Sequence, residues 1–298
     1  MTLPNFLVIG AEKSGTTSLD YYLKQHPQIF MSEMKEPRFF APEFYTTFYH
    51  GPRVGKRTLP MERDEYESLF ERTSGEVKIG EVSPQYLYIE SSCQRIADLL
   101  PEVKLIAVLR NPVERAFSAY SYQLTCGYDL EISFEDALEL EAQRVQEQWR
   151  PVWHYKSLGF YFGQLRRFFN AFPPENIQVL LYDDLRRDAI AFAQSAYGFL
   201  GVDADFVPDT TAKNISAPPK SRRLYNLFYR DNPLKTGAKA VLPKGLRKGV
   251  KDFVKRRNTQ PKPHLAIETR RQLVEDYRQD IDQLQSLIGR DLSLWLAD

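Results

Sequence analysis

Four hydroxyl side chains and one lysine crowd into nine residues near the start of the chain, Gly10-Ala11-Glu12-Lys13-Ser14-Gly15-Thr16-Thr17-Ser18. Residues of these types at this spacing can hold an anion. Two glycines five apart let the backbone turn tightly, so that its amides face one point. The apolar run Phe6-Leu7-Val8-Ile9 before them reads as a buried strand, and 16–26 reads as a helix ended by Pro27. A helix N-terminus contributes unpaired N–H groups and the positive end of its dipole. Ser14, Thr16, Thr17 and Ser18 add hydroxyl donors, and Lys13 adds a cation. The same composition also fits a strand-to-helix turn that binds nothing.

The interval from Gly10 to Gly15 matches the nucleoside-triphosphate loop, but Thr16 stands where that loop carries lysine. A lysine between the glycines suits the bridging oxygen of a short phosphosulfate better than a third phosphate. A triphosphate kinase or hydrolase would also need an acidic residue for magnesium. Val179-Leu180-Leu181-Tyr182-Asp183-Asp184 offers one superficially, and reads better as a core strand plus a turn. A non-catalytic nucleotide-binding module is a third reading. Arg110 closes a predicted strand at 103–109, and Ser118 lies eight residues on, along the next helix. Strand ends are where α/β sheets bind ligands, and the planar guanidinium fork suits phosphate. An arginine there can equally be a surface ion pair.

Taking up a proton requires a base, commonly a carboxylate or histidine. Glu36 is the first candidate, because its proline and phenylalanine neighbours can desolvate it. His154, among Trp153, Tyr155 and Lys156, is the second. On residues alone, both also read as structural or surface groups.

These residues need a scaffold. Strands are predicted at 5–10, 78–81, 103–109 and 177–182. Helices are predicted at 16–26, after Asn111-Pro112, and at 134–148, 158–172, 188–200, 221–229 and 267–288. Alternating strands and helices specify an α/β fold: a mostly parallel central sheet with helices on both faces and a P-loop-like phosphate-binding loop. The 298 residues read as a single domain with a basic, irregular segment at about 205–263. Net charge is +1, yet residues 213–271 hold 17 Lys+Arg against 3 Asp+Glu. That excess fits an anionic partner or a solvated charge run. No groove-reading or stacking motif points to nucleic acid. Two isolated cysteines, Cys93 and Cys126, suggest neither a disulfide scaffold nor a zinc site. With no signal peptide and no apolar run of membrane-span length, the expectation is a cytoplasmic protein. The oligomeric state leaves no mark in the sequence.

Four segments, in matching order, resemble the sulfotransferase family that uses 3′-phosphoadenosine 5′-phosphosulfate, in its bacterial and heparan-type branches. Residues 6–18 resemble its 5′-phosphosulfate loop, Gly-x-x-Lys-x-Gly-Thr-Thr. Lys35-Glu36-Pro37-Arg38-Phe39-Phe40 resembles the Lys-Glu-x-x-Phe-Phe segment of heparan sulfate 3-O-sulfotransferases. Leu109-Arg110-Asn111-Pro112 through Ser118 resembles the 3′-phosphate motif. Gly289-Arg290-Asp291-Leu292 to Trp295 resembles a C-terminal signature of bacterial members. The resemblance implies the phosphosulfate nucleotide as co-substrate without a metal. It implies Lys13, Ser14, Gly15, Thr16, Thr17, Ser18, Arg110 and Ser118 as donor ligands, Glu36 as base, and a glycan, lipid or small-molecule acceptor. It further implies a late cationic ligand, for which Lys220 and Arg222 are the candidates, while cytosolic relatives use a histidine base, which keeps His154 in view. One departure stands out. Glu81-Val82-Ser83-Pro84-Gln85-Tyr86 has Val82 where heparan-type enzymes carry lysine, so a polyanionic acceptor is not expected.

Overall fold

The computed structural model describes residues 2–48, 50–51, 59–129, 132–211 and 263–297. Five strands form one parallel sheet: β1 (Phe6–Gly10), β2 (Ile29–Met31), β3 (Lys78–Val82), β4 (Lys104–Leu109) and β5 (Ile177–Leu181), in the spatial order β2-β3-β1-β4-β5. Every neighbouring pair is parallel. β1 is apolar along its whole length and β4 is apolar after Lys104, because both faces of the sheet are covered there. Leu7 and Ile9 of β1, with Leu105, Ala107 and Leu109 of β4, enter one core; Phe6 and Val8, with Ile106 and Val108, enter the other. That alternation is the period of two along a strand.

The first core is closed by α4 (Glu90–Leu99), α5 (Pro112–Thr125), α8 (Tyr161–Ala171) and α11 (Ile267–Ile288). The second is closed by α1 (Thr16–Leu23) and α10 (Ala189–Leu200). The shorter α2 (Glu43–Thr46), α3 (Arg63–Ser68), α6 (Phe134–Glu139), α7 (Glu141–Gln146) and α9 (Tyr182–Arg187) lie in the connections.

Several boundaries differ from expectation, each for a local reason. The helix expected at 134–148 is two helices, α6 and α7, meeting at Leu140. The helix expected at 158–172 starts at Tyr161. There Asp280 of α11 accepts the Tyr161 N–H at 2.8 Å and the Phe162 N–H at 3.2 Å. A cap supplied from 119 residues away leaves no local signal. β2 has only three residues, too few to show a period. The turn expected after β5 is the helix α9. The helix expected at 221–229, with Lys220 and Arg222, lies outside the described residues. Cys93 and Cys126 are both buried, and neither is in a disulfide among the described residues.

Candidate active site

Loops after β1 and β4, adjacent strands, depart to opposite sides of the sheet: the chain goes from β1 towards β2 and β3, and from β4 towards β5. Such a switch point opens a crevice at the carboxyl ends of the strands. The loop after β1 carries Lys13, and the loop after β4 carries Arg110. The Arg110 guanidinium donates to the Lys13 carbonyl at 3.4 Å, so the two expected anion-binding elements are in contact.

The phosphate loop is shaped by close packing. Gly10 lies against Leu87, where an added Cβ would stand 2.6 Å from the Leu87 Cβ. Gly15 has φ +98°, and an added Cβ would meet Leu185 at 2.8 Å. Both a left-handed backbone and close approach therefore demand glycine at 15. Gly15 is the N-cap of α1 and offers no side-chain acceptor, so no cap competes for the first-turn N–H groups. Ser14 and Thr16 are buried, Ser18 is half-buried and Thr17 is exposed. The Lys13 ammonium rests 4.0 Å from the centre of the Tyr122 ring. Burial lowers its pKa, an effect partly opposed by nearby Glu12. An anion in the loop would act in the same direction as Glu12 and favour the ammonium.

Arg110 stacks its guanidinium over Tyr182, 4.7 Å from the ring centre, and lies 3.7 Å from Glu114. Ser118 is half-buried on α5, two turns into the helix that Asn111 caps by accepting the Val113 and Glu114 N–H groups. The C-terminal segment braces this corner. Asn111 donates to the Trp295 carbonyl, the Trp295 indole donates to Asp183 at 2.8 Å, and Arg290 pairs with Asp184 at 3.0 Å. The two aspartates that superficially resembled a magnesium site are thus engaged by the C-terminal segment.

Glu36 lies on a turn held by aromatic packing. Phe39 stacks on Tyr66 with ring centres 4.2 Å apart, and Phe40 meets Tyr66 and Tyr86 edge-on. Lys35 donates to Thr17 in the first turn of α1 at 3.0 Å, tying the turn to the phosphate loop. The Arg38 N–H donates to Ser83, whose hydroxyl donates to Glu81. Glu36 accepts from the Arg38 guanidinium and from the Gln85 amide at 3.2 Å. Among the described residues, five non-glycine residues have positive φ, and Lys13, Glu36 and Arg38 are three of them. Sparsely populated backbone of this kind gathers at functional sites.

His154 packs edge-on against Phe48 and Tyr88. It is 1% exposed, its Nδ1 lies 3.0 Å from the Tyr88 hydroxyl, and burial lowers its pKa to about 4. Two further carboxylates surround the turn. Glu81 is 1% exposed, and burial raises its pKa to about 7. Glu12 accepts from Gln85 at 2.6 Å, and its pKa is raised by burial and then by Glu36. Sequence reasoning passed over Glu12 and Gln85, and their positions within quoted motifs were the one available signal. Val82, at the end of β3, is buried in the second core.

The sulfotransferase-domain model matches residues 3–285. The chain belongs to the sulfotransferase family. The chain superimposes on the crystal structure of a sulfotransferase from Alicyclobacillus acidocaldarius with a TM-score of 0.79 and 30% identity, covering 100% of both chains. Among curated relatives, it is 35% identical over 161 residues, 52% of the chain, to the membrane-associated sulfotransferase kil1 of Dictyostelium discoideum. It is 29% identical over 205 residues, 67% of the chain, to the human bifunctional heparan sulfate N-deacetylase/N-sulfotransferase 3. The chain covers only 32% and 22% of the lengths of those two relatives. Among the described residues, no helix is long and apolar enough to cross a membrane.

Proposed function

We propose that this sulfotransferase moves a sulfuryl group from 3′-phosphoadenosine 5′-phosphosulfate to an acceptor hydroxyl or amine by in-line displacement. The observation that carries the reading is the contact of Arg110 with the Lys13 carbonyl at the switch point, which sets two cationic elements side by side. In this reading the loop from Lys13 to Ser18 holds the 5′-phosphosulfate, and Arg110 with Ser118 holds the 3′-phosphate. Lys13 meets the charge that develops on the leaving phosphate, and Glu36 takes the acceptor proton. Lys220 and Arg222 remain candidates for a further donor contact. The acceptor is a carbohydrate, lipid or small metabolite. Val82, where heparan-type enzymes carry lysine, supports an acceptor that is not a polyanion. The burial of His154 supports Glu36 over it as the base, and engagement of Asp183 and Asp184 by the C-terminal segment weighs against a magnesium-dependent kinase.

The expected nucleotide product, adenosine 3′,5′-bisphosphate, should bind tightly, by calorimetry, with an affinity that changes little when magnesium is added. Tighter binding of ATP with magnesium would overturn the assignment. Arg110→Ala should weaken bisphosphate binding while leaving the chemical step nearly intact, because the 3′-phosphate is remote from the breaking bond. A lost charge-assisted hydrogen bond costs on the order of 1.5–3 kcal/mol, or about 10- to 150-fold in Kd. Unchanged affinity would move the 3′-phosphate site elsewhere.

A further inference from the structure

The Gln85 side chain sits between two carboxylates. It is 4% exposed, and its Nε2 donates to Glu12 Oε1 at 2.6 Å and to Glu36 Oε2 at 3.2 Å. A primary amide carries two N–H donors, so one goes to each acid. The amide orientation follows from its neighbours, because an oxygen in that place would face two carboxylate oxygens. Gln85 is held by the 3-10 turn Pro84–Tyr86, directly after β3. Glu12 belongs to the phosphate loop and Glu36 to the aromatic-anchored turn. The amide is therefore a strut from donor loop to base.

We propose that Gln85 is a positioning residue that fixes Glu36 for proton abstraction by bridging it to Glu12, and that Glu12 tunes the pH range over which the base works. This rests on Glu36 being the base. Gln85 donates to the Glu36 carboxylate, and Glu12 sets a second carboxylate on the same amide; a hydrogen-bond donor and a like charge act on a carboxylate in opposite directions. The other charged groups facing the pair are Arg38, ion-paired with Glu36, and Glu81 behind Ser83, while Arg115 and Lys13 act on Glu12. Burial and then the like charge of Glu36 raise the pKa of Glu12, while the hydrogen bond from Gln85 lowers it. Neither Gln85 nor Glu12 need touch the reacting atoms.

The two substitutions should move the acidic limb of the kcat/KM profile in opposite directions. Gln85→Leu removes the shared donor, so the limb should shift to higher pH and kcat should fall on the order of 10- to 10²-fold through misplacement of the base. Glu12→Gln removes the like charge and keeps an acceptor for Gln85, so the limb should shift to lower pH. Both variants should keep wild-type affinity for adenosine 3′,5′-bisphosphate, which also reports an intact phosphate loop. In a Glu36→Gln background neither substitution should alter the residual profile. If Glu36→Gln cripples turnover but the limb stays fixed in both single variants, the bridge has no role. If Glu36→Gln itself turns over near normally, the base assignment fails first and the proposal falls with it. Should Gln85→Leu fail to fold, the direction of the Glu12→Gln shift decides alone.

Discussion

Lys13→Ala should lower kcat about 10²- to 10³-fold, the usual loss on removing one preorganised electrostatic donor. When the sulfuryl group departs, charge builds on the bridging oxygen of the leaving phosphate. Lys13 stands inside the loop that would hold that phosphate, with positive φ and its ammonium over the Tyr122 ring. A cation fixed before the reaction begins needs little reorganisation as charge develops, and its interaction is stronger in the transition state than in the ground state. Its loss therefore falls on kcat more than on KM. Partial burial strengthens the effect, since less water competes with the cation for the developing charge. Single-turnover rates with saturating donor are the measurement. The acidic limb of the pH profile should persist in this variant, because the cation and the base are separate groups. A variant that loses donor affinity at full kcat would assign Lys13 to ground-state binding alone.

Much of this site was legible in the sequence because its signals are local. The strand, two glycines and helix of residues 6–23 are written consecutively, and the structure has the turn where the pattern puts it. Asn111-Pro112 likewise announces α5, with asparagine as N-cap and proline at the first helical position. What was hidden depends on contacts distant in the chain. Asp280 sets the start of α8 from 119 residues away. Trp295 and Arg290 claim Asp183 and Asp184 across more than 100 residues, which no local reading of an Asp-Asp pair can reveal. Glu12 and Gln85 are separated by 73 residues and meet because β1 and β3 are parallel neighbours. His154 is the second candidate base in the sequence, and its burial beside Tyr88 is a feature that the sequence does not show.

Glu36→Gln should reduce kcat about 10²- to 10⁴-fold, the range for removal of a general base, while donor affinity hardly changes. Glutamine keeps the shape of the side chain and can still accept from Arg38 and Gln85, so the turn should hold. Its amide oxygen is too weakly basic to take a proton near neutral pH. Phe39 and Phe40, packed on Tyr66 and Tyr86, fix the turn independently of Glu36. The loss should therefore appear without a fall in Tm and without a change in bisphosphate binding. The pH profile separates this from a structural effect: the acidic limb of kcat/KM, which reports protonation of the base in the free enzyme, should disappear. Glu81 is the competing source of such a limb, since burial raises its pKa to about 7. It is 1% exposed and bonded to Ser83, so Glu81→Gln should leave the limb in place. His154→Ala supplies the remaining comparison. If that variant abolishes turnover while Glu36→Gln retains it, the proton passes to His154, and the buried ring must become accessible during the cycle.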